Sequence, residues 1–247
     1  MKIGLVAALI KDNDVDHQLS VIESYLKKNK DCELLCFGES FLQGFDALTW
    51  DYEIDKNIGL DLNSSVIGIV KDLAKKYRCA LSFGFVEKYK EDLYCTNLVI
   101  DKDGNIVDVF RRVSEGWKVT KTTSQYKEGD GFHSFVLDGI KFSTAICGDL
   151  WYDENVDEMN RVNKDIILWP MYIDFSKKRW EISEEEQYIE RSFKLGVPAL
   201  MYNSYKEDPK GANGGCYVFK DGELVDSLEM GIEGVLEVDT DKLLHQN

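Results

Sequence analysis

The chain has 247 residues, 44% of them hydrophobic, enough to bury one substantial core and within the size at which an α/β domain stays single. Its 45 acidic residues against 30 basic ones give a formal charge of −15, which repels a phosphate backbone and argues against a nucleic-acid partner. The six cysteines, Cys32, Cys36, Cys79, Cys95, Cys147 and Cys216, fall mostly in apolar runs and are too few for a disulfide scaffold, so a reducing, cytoplasmic setting is expected. No stretch approaches the roughly 18 consecutive apolar residues of a membrane span, and no membrane partner is expected.

In chain order, the opening MKIGLVAALIKDND reads as a buried strand rather than a secretory signal. The apolar runs Lys2 to Leu9 and Glu33 to Phe37 are too short for helices, while Val15, Leu19, Ile22 and Leu26 between them recur at helical spacing, which makes a β-α-β unit. Cys32 and Cys36, four apart on the second run, are expected on one side of it and in packing rather than in zinc binding. Ser64 and Ser65 offer N-cap side chains to a helix whose apolar face is Val66, Ile69, Val70, Leu73 and Ala74. A strand from Ala80 to Val86 follows. Thr96 to Ile100, DKDGN and Ile106 to Phe110 read as a hairpin, because Asp-Gly and Asn tolerate the left-handed backbone of a tight turn; Asp138-Gly139 and Asp221-Gly222 repeat the device.

Strand Phe142 to Ile146, a helix from near Asp153, strand Ile166 to Trp169, a helix over Glu184 to Leu195 stopped by Gly196, and strand Pro198 to Tyr202 continue the alternation. Helices interleaved with hairpins predict an α/β fold in which each mixed sheet has helices on one face and a second sheet on the other, a four-layer α-β-β-α sandwich. No Pro/Gly/Ser-rich linker, low-complexity tract or repeat interrupts residues 1–247, so a single domain is expected.

Three polar residues lie just past the carboxyl ends of apolar strands, where α/β proteins gather their reactive groups: Glu39 after ELLCFG, Arg112 after VDVFR and Cys147 after FSTAI. Each has a plain structural reading, as helix cap, solvated cation or small buried hydrophobe. Together they supply what acyl transfer requires: a base to make a thiolate, the thiol itself, and positive charge beside a developing oxyanion. His17, His133 and His245 have no ligand-like spacing, so neither a metal site nor a cysteine-histidine dyad is expected.

These segments resemble the nitrilase superfamily of carbon-nitrogen hydrolases. The likeness rests on Gly38-Glu39-Ser40-Phe41 and Ile146-Cys147-Gly148-Asp149-Leu150-Trp151. Cys95-Thr96-Asn97, the Asp-Gly hairpins, Trp169-Pro170 and Gly214-Gly215 support it in the same order along the chain. The resemblance implies a Cys147 nucleophile, a Glu39 base and hydrolysis of a small linear amide through a thioester, without metal or organic cofactor. It implies a homodimer or larger homo-oligomer, and it places Tyr172 and Asn203 where the family lines its pocket. Strand-end packing and turn formation are the alternatives for those two. Where the family has Tyr-Arg-Lys this chain reads Phe110-Arg111-Arg112, so arginine takes the lysine position. Arg112 can hold an oxyanion but cannot pass a proton. Lys118 and Lys121 are candidate substitutes; the family's second glutamate has no clear match, with Thr122 near its position and Glu115 and Glu128 as candidates.

The leading expectation is an ω-amidase-like or N-carbamoyl-amide hydrolase. A catalytically altered homologue that binds a ligand or partner in the same pocket is the alternative that Arg112 favours. A glutaminase module feeding ammonia to a separate synthetase is a third, from the likeness of the Cys147 segment to the glutaminase domain of NAD synthetase.

Overall fold

The computed structural model describes residues 1–208 and 210–245. Strand β1 (Lys2–Ala7), helix α1 (Val15–Lys28) and strand β2 (Leu34–Phe37) form the expected unit, with Ile3 to Val6 parallel to Leu34 to Phe37. After a one-turn helix α2 (Tyr52–Asp55), Ser64 caps α3 (Ser65–Tyr77) by accepting from the Ile67 N–H at 3.4 Å. Strand β3 (Ala80–Tyr89) is parallel to β2, and β4 (Asp92–Ile100) and β5 (Ile106–Arg111) follow as antiparallel neighbours through the DKDGN hairpin. The short β6 (Tyr126–Lys127) pairs with β4.

The second sheet starts with the hairpin β7 (Ser134–Leu137) and β8 (Ile140–Thr144). A 3₁₀ turn over Cys147–Trp151 leads into α4 (Asp153–Arg161), then β9 (Ile166–Met171). The helix expected to start at Glu184 begins earlier, as α5 (Lys177–Arg179), and runs through a π turn over Trp180–Glu184 into α6 (Glu185–Phe193). Strands β10 (Ala199–Asn203), β11 (Gly214–Lys220) and β12 (Glu223–Met230) complete the sheet, and β13 (Gly234–Asp239) returns to the first sheet antiparallel to β1 before α7 (Thr240–His245). The orders are β13-β1-β2-β3-β4-β5 and β12-β11-β10-β9-β8-β7.

Alternation along the strands sets the layers. Ile3, Leu5 and Ala7 of β1 meet Leu168, Leu200, Tyr202 and Val218 of the other sheet, while Val6 joins Ile22, Leu26, Ile67 and Val70 beneath α1 and α3. On the far side Val156, Met159 and Tyr188 of α4 and α6 cover Ile167, Trp169 and Met201. The result is the expected four-layer sandwich. The two cysteines expected on one side part company: β2 starts only at Leu34, so Cys32 packs in the helix-side core and Cys36 between the sheets. Among the described residues, no helix is long and apolar enough to cross a membrane.

Candidate active site

The ends of β2, β5 and β8 converge, and Glu39, Arg112 and Cys147 meet there. Glu39 is 1% exposed, held by its backbone N–H to the Met171 carbonyl at 3.1 Å. Gly84 of β3 allows this close approach, since a Cβ on it would lie 2.4 Å from the Ser40 nitrogen. Ser40 and Cys147 both have left-handed backbones, with φ of 49° and 45°. Such conformations cost about 1–2 kcal/mol outside glycine, and they turn the chain sharply at the strand ends that carry the two reactive groups.

The charges are tightly connected. Arg112 Nη1 donates to Glu39 Oε1 at 2.8 Å, and the Cys95 thiol donates to the same oxygen at 3.3 Å. Arg112 Nε donates to Ser114 Oγ at 2.9 Å and lies 4.0 Å from Asp149 Oδ1. Buried Asp149 accepts backbone N–H groups from Ile146, Val113 and Ser114 at 2.8, 3.1 and 2.8 Å, stapling the loop after β5 to the loop after β8. That staple holds Arg112 and Cys147 face to face.

Cys147 is the one residue of the six cysteines that is partly exposed; the other five are buried. Glu39 and the Tyr172 backbone N–H lie close enough to act on its sulfur, and its carbonyl accepts from Trp169 Nε1 at 2.9 Å. Burial foremost, then the Glu39 charge, push the thiol up to about 12, against the opposing pull of Arg112 and the Tyr172 N–H. The resting sulfur at neutral pH is therefore the thiol. For Arg112, burial alone would lower the pKa; Glu39 foremost, with Cys147 and Asp149, holds it above the ordinary guanidinium range.

Neither lysine considered as a substitute for arginine has a hydrogen bond or ion pair to Glu39 or Cys147 among the described residues. Lys118 Nζ pairs with Glu128 at 2.5 Å and donates to the Tyr126 carbonyl at 3.0 Å, and Lys121 is exposed. This also occupies Glu128, and Glu115 lies exposed on a 3₁₀ turn. Asp149 is the second carboxylate beside Arg112. Tyr172 donates its hydroxyl to Asp46 and stacks on Phe45, with ring centroids 5.2 Å apart, so its backbone rather than its hydroxyl faces Cys147. Asn203, expected to meet substrate, is fully buried. Its amide donates to the Ile173 and Gly214 carbonyls, both at 2.9 Å, and accepts the Ile173 N–H at 3.0 Å, a clamp on backbone that leaves no N–H for a ligand.

A cleft of about 280 Å³ is lined by Val113, Ser114, Glu115, Tyr152, Glu154 and Asn155, and Glu39, Arg112 and Cys147 are not in its lining. A larger one of about 440 Å³ lies under β13 and α7 and likewise includes none of the three. Cys95, Ser114 and Asp149 escaped the sequence reading as individual site residues. Asp149 had a signal, two positions after Cys147 in the same motif; a cysteine inside an apolar strand has none.

The model of the carbon-nitrogen hydrolase family matches residues 2–245. The chain belongs to the carbon-nitrogen hydrolase family. This carbon-nitrogen hydrolase is 25% identical over 150 residues to a 2-oxoglutaramate amidase of Bacillus subtilis, a match covering 59% of this chain and 56% of that one. It is 28% identical over 112 residues to a citrullinase of Francisella tularensis, covering 44% and 39%. The matched stretches thus span about half or less of these relatives' own length. Among solved structures, a glutamate-to-glutamine variant of an amidase from Nesterenkonia, showing Michael addition of acrylamide at its active-site cysteine, superposes with a TM-score of 0.80. The identity is 17%, over 100% of this chain and 96% of that one, which establishes the shared fold.

Proposed function

We propose that the chain, acting as a single domain over residues 1–247, hydrolyses the terminal C–N bond of a small linear amide or ureido compound, with Cys147 as nucleophile and Glu39 as base. One observation carries this reading: the one cysteine of the six that is not fully buried stands at a left-handed strand end beside a buried carboxylate held by a buried guanidinium. The names of the relatives agree, since 2-oxoglutaramate and citrulline each end in a CO–NH₂ group.

The thiol proton passes to Glu39 as sulfur attacks the carbonyl carbon, and the C=O π pair moves onto oxygen. Arg112 and the Gly148 backbone N–H hold that oxyanion; each such donor contributes on the order of 3 kcal/mol. Collapse breaks the C–N bond, and the leaving nitrogen takes the proton from Glu39 and departs as ammonia. Glu39 then accepts a proton from water while the water oxygen attacks the thioester. The second collapse frees the acid and returns the sulfur, which regains its proton from Glu39. Arg112, permanently protonated, serves as fixed charge throughout.

The test is ammonia release from a panel of small amides, ureido acids and nitriles, with wild type beside Cys147→Ala. Release by wild type alone supports the proposal; release by Cys147→Ala, or none by wild type on any member, overturns it. A second reading, ligand binding without turnover, draws support from the 2.8 Å bond by which Arg112 engages the very carboxylate that must accept the thiol proton. Turnover that emerges only in Arg112→Lys would select it.

A further inference from the structure

The guanidinium of Arg112 is a three-armed fork, and its arms have different fates. Nη1 is bonded to Glu39 and Nε to Ser114. Nη2 is the arm directed at Gly148, where a Cβ would stand 2.5 Å from Nη2, 3.6 Å from Cζ and 3.7 Å from Ser114 Oγ. Normal carbon–nitrogen contacts lie well beyond 2.5 Å, so any side chain at position 148 would collide with this arm. A flexible surface arginine would step aside. Arg112 is 4% exposed and tied at its other two nitrogens, so its fork cannot turn without breaking the Glu39 or Ser114 bond.

From this geometry we infer that Gly148 is a positioning residue: its missing side chain is what lets arginine serve at the lysine position, by admitting Nη2 to the oxyanion site beside the Gly148 N–H. Lysine ends in a single Nζ and needs no room for a second arm, so the requirement at 148 is specific to arginine. The Gly148 backbone strengthens the case. Its φ lies outside the positive range in which side chains are strained, so alanine there meets an obstacle only in Arg112.

The inference rests on the hydrolase reading only for its turnover arm. The experiment compares wild type, Gly148→Ala, Arg112→Lys and the double variant, each checked for native thermal unfolding. In the arginine background Gly148→Ala is expected to lower kcat by roughly 10²-fold with KM little changed, since an oxyanion donor acts in the transition state. In the lysine background the same substitution is expected to lower kcat by less than about tenfold, the mark of a coupled pair. The second readout is the pH profile of iodoacetamide alkylation at Cys147, followed by mass spectrometry. The Arg112 charge favours the thiolate, so Gly148→Ala should move the profile to higher pH in the arginine background and leave it in place in the lysine background. Equal effects of Gly148→Ala in both backgrounds, or none in the first, would overturn the pairing. If wild type turns over no substrate the hydrolase reading fails, and the alkylation profiles still decide the pair.

Discussion

Arg111 and Arg112 are neighbours in sequence, and each is paired with a buried glutamate, yet they close in different ways. Arg111 grips Glu87 with two arms, Nη2 to Oε1 at 2.6 Å and Nε to Oε2 at 2.8 Å, while the Thr96 hydroxyl donates to Oε2 at 2.7 Å and Tyr94 lies 4.2 Å below the guanidinium. Arg112 gives Glu39 one arm, Ser114 another, and presents the third to Gly148. Consecutive side chains leave a strand on opposite faces, which separates the two pairs. A closed, bidentate fork with its acceptors shared among protein groups is a structural device; an open fork beside a partly exposed cysteine residue has capacity left for a substrate oxygen.

Breaking the open site should produce the largest effects. Cys147→Ala is expected to lower kcat on the order of 10⁶-fold, the loss typical of a deleted nucleophile, read by ammonia release. Glu39→Gln should lower it by roughly 10²–10⁴-fold, as for a lost general base. The closed pair answers differently. Glu87→Gln leaves Arg111 without its charge partner and should cost about 3 kcal/mol of unfolding free energy, at the low end for a buried pair because Arg111 is 24% exposed. Its kcat should stay near wild type. A collapse of kcat in Glu87→Gln with stability intact would end the distinction between the two forks.

Alkylation sharpens the comparison by separating the base from the nucleophile. With its thiol pushed up to about 12, Cys147 is mostly protonated at neutral pH, so its iodoacetamide rate should rise about tenfold per pH unit from 7 to 10 without a plateau. The Glu39 charge is among the causes of that elevation, so Glu39→Gln should lower the thiol pKa and increase alkylation at pH 8 even as it lowers turnover. Slower alkylation in Glu39→Gln would mean that the carboxylate activates the thiol even toward an alkylating agent.

What the sequence revealed was set by whether the deciding interaction is local. Ser64 before an apolar stripe and Asp-Gly between two strands are signals within a few residues, and both features form as read. Glu39, Arg112 and Cys147 stood out because each polar group ends an apolar run, and strand ends meet in an α/β sheet. Asn203 has the same outward signature and a different fate: its amide clamps Ile173 and Gly214. Position after a strand does not record which way a side chain turns. Cys95 looked like one more small hydrophobe in β4, and only the packing of β2 against β3 and β4 brings Glu39 onto its thiol. The room that Gly148 leaves for Arg112 is equally non-local, since it joins loops 36 residues apart in sequence.

The smallest expected effects come from the hydroxyl that supports each fork. Ser114 accepts from Arg112 Nε, and Thr96 donates to Glu87, so Ser114→Ala and Thr96→Val are matched deletions of one hydrogen bond on the open and closed sides. A hydrogen bond to a charged group contributes about 1.5–3 kcal/mol. On the closed side Thr96→Val should appear as a loss of about 2 kcal/mol in denaturant unfolding, with kcat unchanged. On the open side the serine restrains an arginine that Glu39 also holds, so Ser114→Ala should cost roughly 1 kcal/mol of stability and lower kcat by about 3- to 10-fold as the Nη2 arm loses its aim. Because Ser114 acts through Arg112, that drop should vanish in an Arg112→Lys background, where no Nε remains to be held. A Ser114→Ala penalty of the same size with lysine at 112 would show that the serine touches the substrate directly, and would move it from the support of the fork into the site itself.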